Sequence, residues 1–177
     1  YDRHPLELRY GENPHQAAAL YRERGVEPWW ATMTQHAGMA LSYLNLYDAD
    51  AAWLLAHDLA EASGKPACAI IKHANPCGAA VADTLADAYR LAFECDERSA
   101  FGGIVAVSAP IDDATVQHMV AAAQADVVVA PGYESGVVEA LVAKRKNTRL
   151  LEAPAPVPDR RHLRPVTGGM LVQDPHH

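Results

Sequence analysis

Four short apolar runs, separated by stretches of helical spacing, limit what this chain can fold into. The runs are Ala67-Cys68-Ala69-Ile70-Ile71, Ile104-Val105-Ala106-Val107, Val127-Val128-Val129-Ala130 and the segment from Thr148 to Leu151. Each has the length of a strand, with turn-forming residues nearby. Before the first run, Ala49, Ala52, Trp53, Ala56 and Leu59 keep helical spacing, with Asn45 or Asp48 as a candidate cap and Gly64 and Pro66 as a stop. Between the runs the pattern predicts helices over roughly Ala79 to Glu94, Ala114 to Gln124 (capped by Asp112 or Asp113) and Ser135 to Ala143. The last ends in Lys144-Arg145-Lys146-Asn147, cations suited to a helix C-terminus. Strand and helix thus alternate from residue 48 to 151, which predicts an α/β chain whose mostly parallel sheet is covered by helices on both faces.

The flanks are less regular. Weak strand signals fall at Ala17 to Tyr21 and Met39 to Tyr43, with an irregular stretch between them. In that stretch Pro28-Trp29-Trp30 is either a packing anchor or a partner-facing patch. Pro154, Pro156, Pro158 and Pro165 mark an extended edge or linker, and Gly168 to Gln173 reads as one more strand. The 177 residues fit one compact domain, read as residues 1–177. A net charge of -7 argues against non-specific nucleic-acid binding but leaves room for a small anionic ligand. Three cysteines, an odd count, argue against a disulfide framework. No stretch has the length of a membrane span and no secretory signal is visible, so the expected location is cytoplasmic. The chain opens on Tyr1 rather than Met, as a processed or excised piece would, and His176-His177 is either native or a remnant of cloning.

The densest chemistry follows the first apolar run, in Lys72-His73-Ala74-Asn75-Pro76-Cys77-Gly78. Pro76 and Gly78 are expected to end the strand and let the chain turn into the next helix. That would place polar side chains at the carboxyl end of a strand, beside a helix N-terminus that favours anions. An imidazole can move a proton near neutral pH, and a neighbouring ammonium favours its basic form. The ammonium can also stabilise charge developing on a carbonyl oxygen, and Asn75 can orient an amide or amine. The plainer reading is a surface Lys beside a half-buried His, with Cys77 a small buried residue rather than a nucleophile. Upstream, Arg9, Tyr10 and His15 in Leu8-Arg9-Tyr10-Gly11-Glu12-Asn13-Pro14-His15-Gln16 form either a donor group for phosphate or carboxylate or a solvated arm. Ser99-Ala100-Phe101-Gly102-Gly103 is either a tight turn or a place where backbone approaches a ligand.

P-loop, dinucleotide-fold and Gly-x-Ser-x-Gly signatures are absent. Asn75-Pro76-Cys77 suggests the Pro-Cys-x-x-Cys of zinc deaminases, but the second Cys would fall on Ala80 and no His-x-Glu completes the set. A metal-free polar site is therefore expected.

These segments, together with Leu41-Ser42-Tyr43-Leu44-Asn45, Asp48 and Ala130-Pro131-Gly132-Tyr133, run in one order and extend into Gly168-Gly169-Met170-Leu171-Val172-Gln173-Asp174. In that order the chain resembles the transformylase part of the bifunctional purine-biosynthesis family that joins aminoimidazole carboxamide ribonucleotide (AICAR) transformylase to IMP cyclohydrolase. The resemblance implies a cytidine-deaminase-like three-layer α/β/α sandwich without zinc. It implies formyl transfer from the co-substrate 10-formyltetrahydrofolate to the 5-amino group of AICAR. His73 would accept the amine proton, and Lys72 would assist transfer and protonate the leaving nitrogen. Arg9, Tyr10 and His15 would contact the nucleotide, Asn45 and Asp126 the carboxamide or ribose, and Phe101 and Gly102 the ligand wall. The family's cyclohydrolase domain and a second transformylase lobe are not in this sequence, so ring closure to IMP is not expected. The family also implies a homodimer with shared active sites. Two other readings stay open: a lobe that binds a purine ribonucleotide without catalysis, and a zinc hydrolase.

Overall fold

The apolar runs form the middle of a six-stranded sheet. In the computed structural model, residues 1–157 and 161–174 are described; Pro158 and His176-His177 lie outside them. The sheet is built from β3 (Thr34–Ala37), β4 (Ala67–Lys72), β5 (Asn75–Val81), β6 (Ile104–Val107), β7 (Val127–Ala130) and β8 (Arg149–Glu152). Its order is β3-β8-β7-β6-β4-β5. The helices are α1 (Trp29–Thr32), α2 (Tyr43–Ser63), α3 (Leu85–Cys95), α4 (Glu97–Ala100), α5 (Asp113–Ala121) and α6 (Val137–Lys144). Two short strands, β1 (Asp2–Arg3) and β2 (Tyr21–Arg22), pair in the N-terminal arm. A separate hairpin joins β9 (His162–Val166) to β10 (Gly169–Gln173). No helix among the described residues is long and apolar enough to cross a membrane.

The sheet is mixed, not mostly parallel. Only β6 with β7 and β7 with β8 pair in parallel; β3 with β8, β4 with β6 and β4 with β5 are antiparallel. The cause lies at residues 75–81, which the helical spacing assigned in part to α3. They return along β4 as a strand, with Ala67 opposite Val81 and Lys72 opposite Asn75. Because β4 is antiparallel to both β5 and β6, those two run the same way. Strands β5, β6, β7 and β8 thus share one direction, and β4, expected as a strand, is inserted among them in reverse. The helix after β5 starts only at Leu85, where Thr84 accepts from Asp87 N. Pro76 does not end a strand. It stands in the edge strand, where a missing N–H is tolerated. Ile71 faces Pro76 and Ile70 faces Gly78, so Cys77 is the extra residue of a bulge.

Successive residues of each central strand point to opposite faces, and the core divides accordingly. Ala69, Ile71, Ile104, Ala106, Val127, Val129 and Leu151 pack with Ala49, Ala52, Trp53 and Ala56 of α2. Cys68, Ile70, Val105, Val107, Val128, Ala130 and Leu150 pack with α3, α5 and α6. The result is three layers, α/β/α. Trp29 is an anchor of the α2 layer: it is buried, its Nε1 donates to Asp50 Oδ1 at 2.7 Å, and its ring lies 6.2 Å from that of Trp53.

The N-cap of α2 is Ser42. Its Oγ accepts from Asn45 N, and Asn45 Oδ1 accepts from Ser42 N, a reciprocal capping box. Asn45 is thus the partner of the cap, and Asp48 does not cap. Gly64 ends the helix in the left-handed region as expected. The strand expected at 39–43 is the lead-in to this cap, and of the strand expected at 17–21 only Tyr21 belongs to β2. Strand β3 falls instead in the stretch read as irregular. It is an edge strand of mostly exposed polar residues, so no apolar alternation marks it.

The β9–β10 hairpin extends further back than the sequence pattern shows. Leu163 pairs with Val172 and Pro165 with Met170, which places these four apolar residues on one face. All four are exposed.

Gly78 is required by close packing rather than by a turn. A Cβ there would collide with the Ala92 carbonyl oxygen and stand 2.8 Å from Cys95 Cβ. Gly78→Ala should therefore cost about 2–3 kcal/mol by overpacking between β5 and α3. Urea unfolding checks this, and an unchanged midpoint would show that α3 can shift freely.

Candidate functional site

Most of the candidate residues gather at one end of the sheet. Because β4 runs against β6, β7 and β8, its carboxyl end lies beside their amino ends. Lys72 closes β4, Asn75 opens β5, Gly102 and Gly103 precede β6, Asp126 precedes β7, and Arg149 opens β8. The expectation of a carboxyl edge holds for β4 alone. The helix whose start reaches this end is α2, not α3.

The tip itself is a two-residue hairpin. Lys72 pairs with Asn75, and between them His73 and Ala74 have φ of 54° and 56°. Positive φ at both central positions is what a type I′ turn requires, and Asn and Gly are its usual occupants. For residues with a Cβ this region costs roughly 1–2 kcal/mol each. Asp48, in the second turn of α2 and only 7% exposed, supplies the compensation. Its Oδ2 accepts from His73 N at 2.9 Å and its Oδ1 from Ala74 N at 2.8 Å. Hydrogen bonds to a charged group contribute roughly 1.5–3 kcal/mol each, so the two together are on the scale needed to offset the backbone cost. The turn also lets Lys72 and His73 serve one region, which adjacent residues on an unbroken strand could not. The break is at His73-Ala74, upstream of Pro76.

Around the tip, Lys72 Nζ donates to Phe101 O at 2.8 Å, and Asn75 Nδ2 donates to His73 O at 2.7 Å. Asn75 therefore braces the turn. His73, Asn75 and Phe101 are exposed, Phe101 at 62%. The glycines after Phe101 make a tight turn: Gly102 is left-handed at φ 71°, and Gly103 N donates to Ala100 O at 3.0 Å.

A second group stands beside the first. Arg9 N donates to Leu41 O and Tyr43 N donates to Tyr10 O, which lays the N-terminal arm along the start of α2. The Arg9 guanidinium lies 5.2 Å from the centre of the Tyr10 ring. Arg149, which the sequence reading did not single out, is only 7% exposed. Its Nε donates to Ala40 O at 3.2 Å and its Nη1 to Asp126 O at 3.4 Å. Burial lowers its pKa, Asp126 opposes that, Arg9 adds to the lowering, and Tyr10 opposes it. Arg9, Tyr10, Asp126 and Arg149 thus form one electrostatic neighbourhood. Gly102 joins the two groups, since a Cβ on it would lie 4.0 Å from Asp126 Oδ1. Two arginines with one carboxylate nearby leave a local excess of positive charge in an acidic chain.

Two candidates fit less closely. Asn45 is buried, with its side-chain oxygen engaged by Ser42. His15 is exposed on a loop closed by Gly11 N donating to Gln16 O at 2.8 Å, and no contact among the described residues ties it to the tip. Among the described residues no three His, Cys, Asp or Glu side chains come together as metal ligands would. Arg149 had one sequence signal, a cation directly before the apolar pair Leu150-Leu151.

A family model described as AICARFT/IMPCHase bienzyme matches residues 2–177. The bifunctional purine biosynthesis protein PurH of Roseobacter denitrificans is 49% identical over 170 residues, covering 94% of this chain and 32% of that protein. PurH of Dinoroseobacter shibae matches with the same identity and coverage. The chain thus spans about a third of the length of these curated relatives. Among solved structures, Acinetobacter baumannii RibD, form 2, aligns with a TM-score of 0.44 at 16% identity, over 55% of this chain and 33% of that one.

The thiol beside the tip gives a direct check of the local electrostatics. Burial raises the Cys77 pKa first, Asp96 adds to the rise, Lys72 opposes it, and Asp48 adds a smaller increment. A raised pKa leaves less thiolate at neutral pH, and the thiolate is the reactive form. Iodoacetamide at pH 7 should therefore label exposed Cys95 before Cys77, and buried Cys68 only on unfolding. Mass spectrometry of the labelled peptides checks the order, and Cys77 labelling first would contradict it.

Proposed function

Since the chain belongs to the AICARFT/IMPCHase bienzyme family, we propose that it is the first lobe of the AICAR transformylase and carries that reaction's proton-transfer residues. The observation that carries this reading is the braced tip: Lys72 and His73 project from a fixed turn beside the Arg9, Tyr10, Asp126 and Arg149 group. In this reading the 5-amino nitrogen of AICAR attacks the formyl carbon of 10-formyltetrahydrofolate. His73 takes the proton the amine loses. Lys72 offsets charge on the formyl oxygen and gives a proton to the folate nitrogen as its bond to the formyl carbon breaks. Arg9 and Arg149 hold the nucleotide phosphate, Arg9 with its planar donor fork. Tyr10 and Asp126 contact the base and ribose, Asn75 steadies the tip, and Phe101 and Gly102 line the ligand wall.

A second transformylase lobe completes the site in this reading, and the whole protein works as a homodimer. The β9–β10 hairpin supports such packing. Its apolar face is open, and a cleft of about 490 Å³ lies between Leu54 and residues of the hairpin including Leu163 and Val172. The exposed Arg9 also fits the second reading, a lobe that binds the ribonucleotide without catalysing transfer.

The test is an assay of the protein in its full natural length with AICAR and 10-formyltetrahydrofolate. His73→Ala should lower kcat by about 100-fold or more, the range for loss of a general base. Arg9→Ala should weaken AICAR binding about 10-fold or more in calorimetry, as expected for a charge-assisted contact. Binding without turnover would favour the non-catalytic reading, and turnover unaffected by His73→Ala would sink the catalytic one.

A further inference from the structure

We infer that Asp48 is a positioning residue for the formyl-transfer step, holding a side-chain-bearing turn in a conformation that glycine would otherwise have to supply. The inference rests on the reading of Lys72 and His73 as the reacting pair. Asp48 is a buried carboxylate, yet among the described residues no Lys, Arg or His side chain forms an ion pair with it. Each of its oxygens instead accepts a backbone N–H, one from His73 and one from Ala74. Among the described residues, those are the two with positive φ that are not glycine. Glycine at either position would adopt the turn without help, but a glycine at 73 would remove the imidazole. The carboxylate resolves that conflict. It lets a histidine occupy the apex of a tight turn, so that the direction of its Cα–Cβ bond is set by backbone geometry. The same turn fixes Lys72, whose ammonium is tied to Phe101 O. Strain of this kind is held only where surrounding structure over-determines it, and it clusters at functional sites.

Asp48→Asn tests the assignment, because an amide keeps one acceptor oxygen and turns an NH2 donor toward the other backbone N–H. In the protein of full natural length, kcat for formyl transfer should fall about 10- to 100-fold, the scale of a misplaced reacting group, with KM changed less than about threefold. Ala74→Gly added to Asp48→Asn should recover about tenfold of the loss, because glycine removes the backbone cost at 74. Hydrogen exchange at the His73 and Ala74 amides, read by mass spectrometry, should be slow in the parent and at least about tenfold faster in Asp48→Asn, as expected when a buried carboxylate no longer accepts from them. A kcat within threefold of the parent, or a loss that Ala74→Gly leaves unrepaired, overturns the assignment. If Asp48→Asn alone does not fold, the double variant decides: folded with kcat within about tenfold of the parent supports the role, unfolded or inactive overturns it. Retained slow exchange in Asp48→Asn would refute the clamp itself. Full turnover after His73→Ala would refute the underlying reading, with the exchange data still reporting on the clamp.

Discussion

One buried carboxylate ties the long helix on one face of the sheet to the hairpin at the sheet's end. Asp48 accepts from two consecutive amides across 25 and 26 residues of sequence. Everything nearby depends on where α2 stops and starts. Ser42 and Asn45 fix its first turn, the alanines at 49, 52 and 56 let it lie close on the strands, and Trp53 locks it in depth. A shift of α2 along its axis by a fraction of a turn would break both bonds at once, because hydrogen bonds weaken steeply beyond their preferred distance and angle. The packing of a whole layer is in this sense the support for two residues.

The direction of the strands decides which parts of the chain meet there. With β4 reversed among strands that run the other way, residues far apart in sequence converge: the N-terminal arm, the start of α2, the β4–β5 tip, and the turns before β6, β7 and β8. The turn at Gly102 and Gly103 brings Phe101 to Lys72 on one side and the backbone toward Asp126 on the other. Arg149 then bridges Asp126 and Ala40 through their carbonyls. Such a site is assembled from loops on a rigid frame, which is the usual division of labour between scaffold and chemistry.

How much of this was legible depended on the kind of signal. The apolar runs of β4, β6, β7 and β8 were read correctly because central strands bury both faces and so show continuous apolar composition. Strand β5 was lost to a helix because Ala79, Ala80, Val81 and Ala82 satisfy either period, and only the ladder with β4 arbitrates. Strand β3 had no apolar signal to offer. With β5 and β3 both missed, the antiparallel pairs of the sheet could not be foreseen. At the site, motif order pointed to Lys72, His73, Arg9 and Tyr10, and the structure brings these to one end of the sheet. The role of Asp48 was hidden because carboxylates bonded to backbone leave no mark in composition, and the sequence offered it as a helix cap and as one residue of the ordered motifs, with no role at the tip. Arg149 was hidden because a charged residue at a strand start is ordinarily solvated.

The two outer strands share a property that bears on how this chain meets other molecules. Strand β5 carries Pro76 and a bulge at Cys77, and β3 carries a register shift between Gln35 and Ala37. Both irregularities spoil the even row of donors and acceptors that another strand would need to dock against. The large sheet is therefore poorly suited to growing by strand addition at either border. The packing proposed for a second lobe would instead use the exposed apolar face formed by Leu163, Pro165, Met170 and Val172. Contact through such a face would depend on shape and on which residues meet, and so would discriminate among partners in a way that backbone pairing does not.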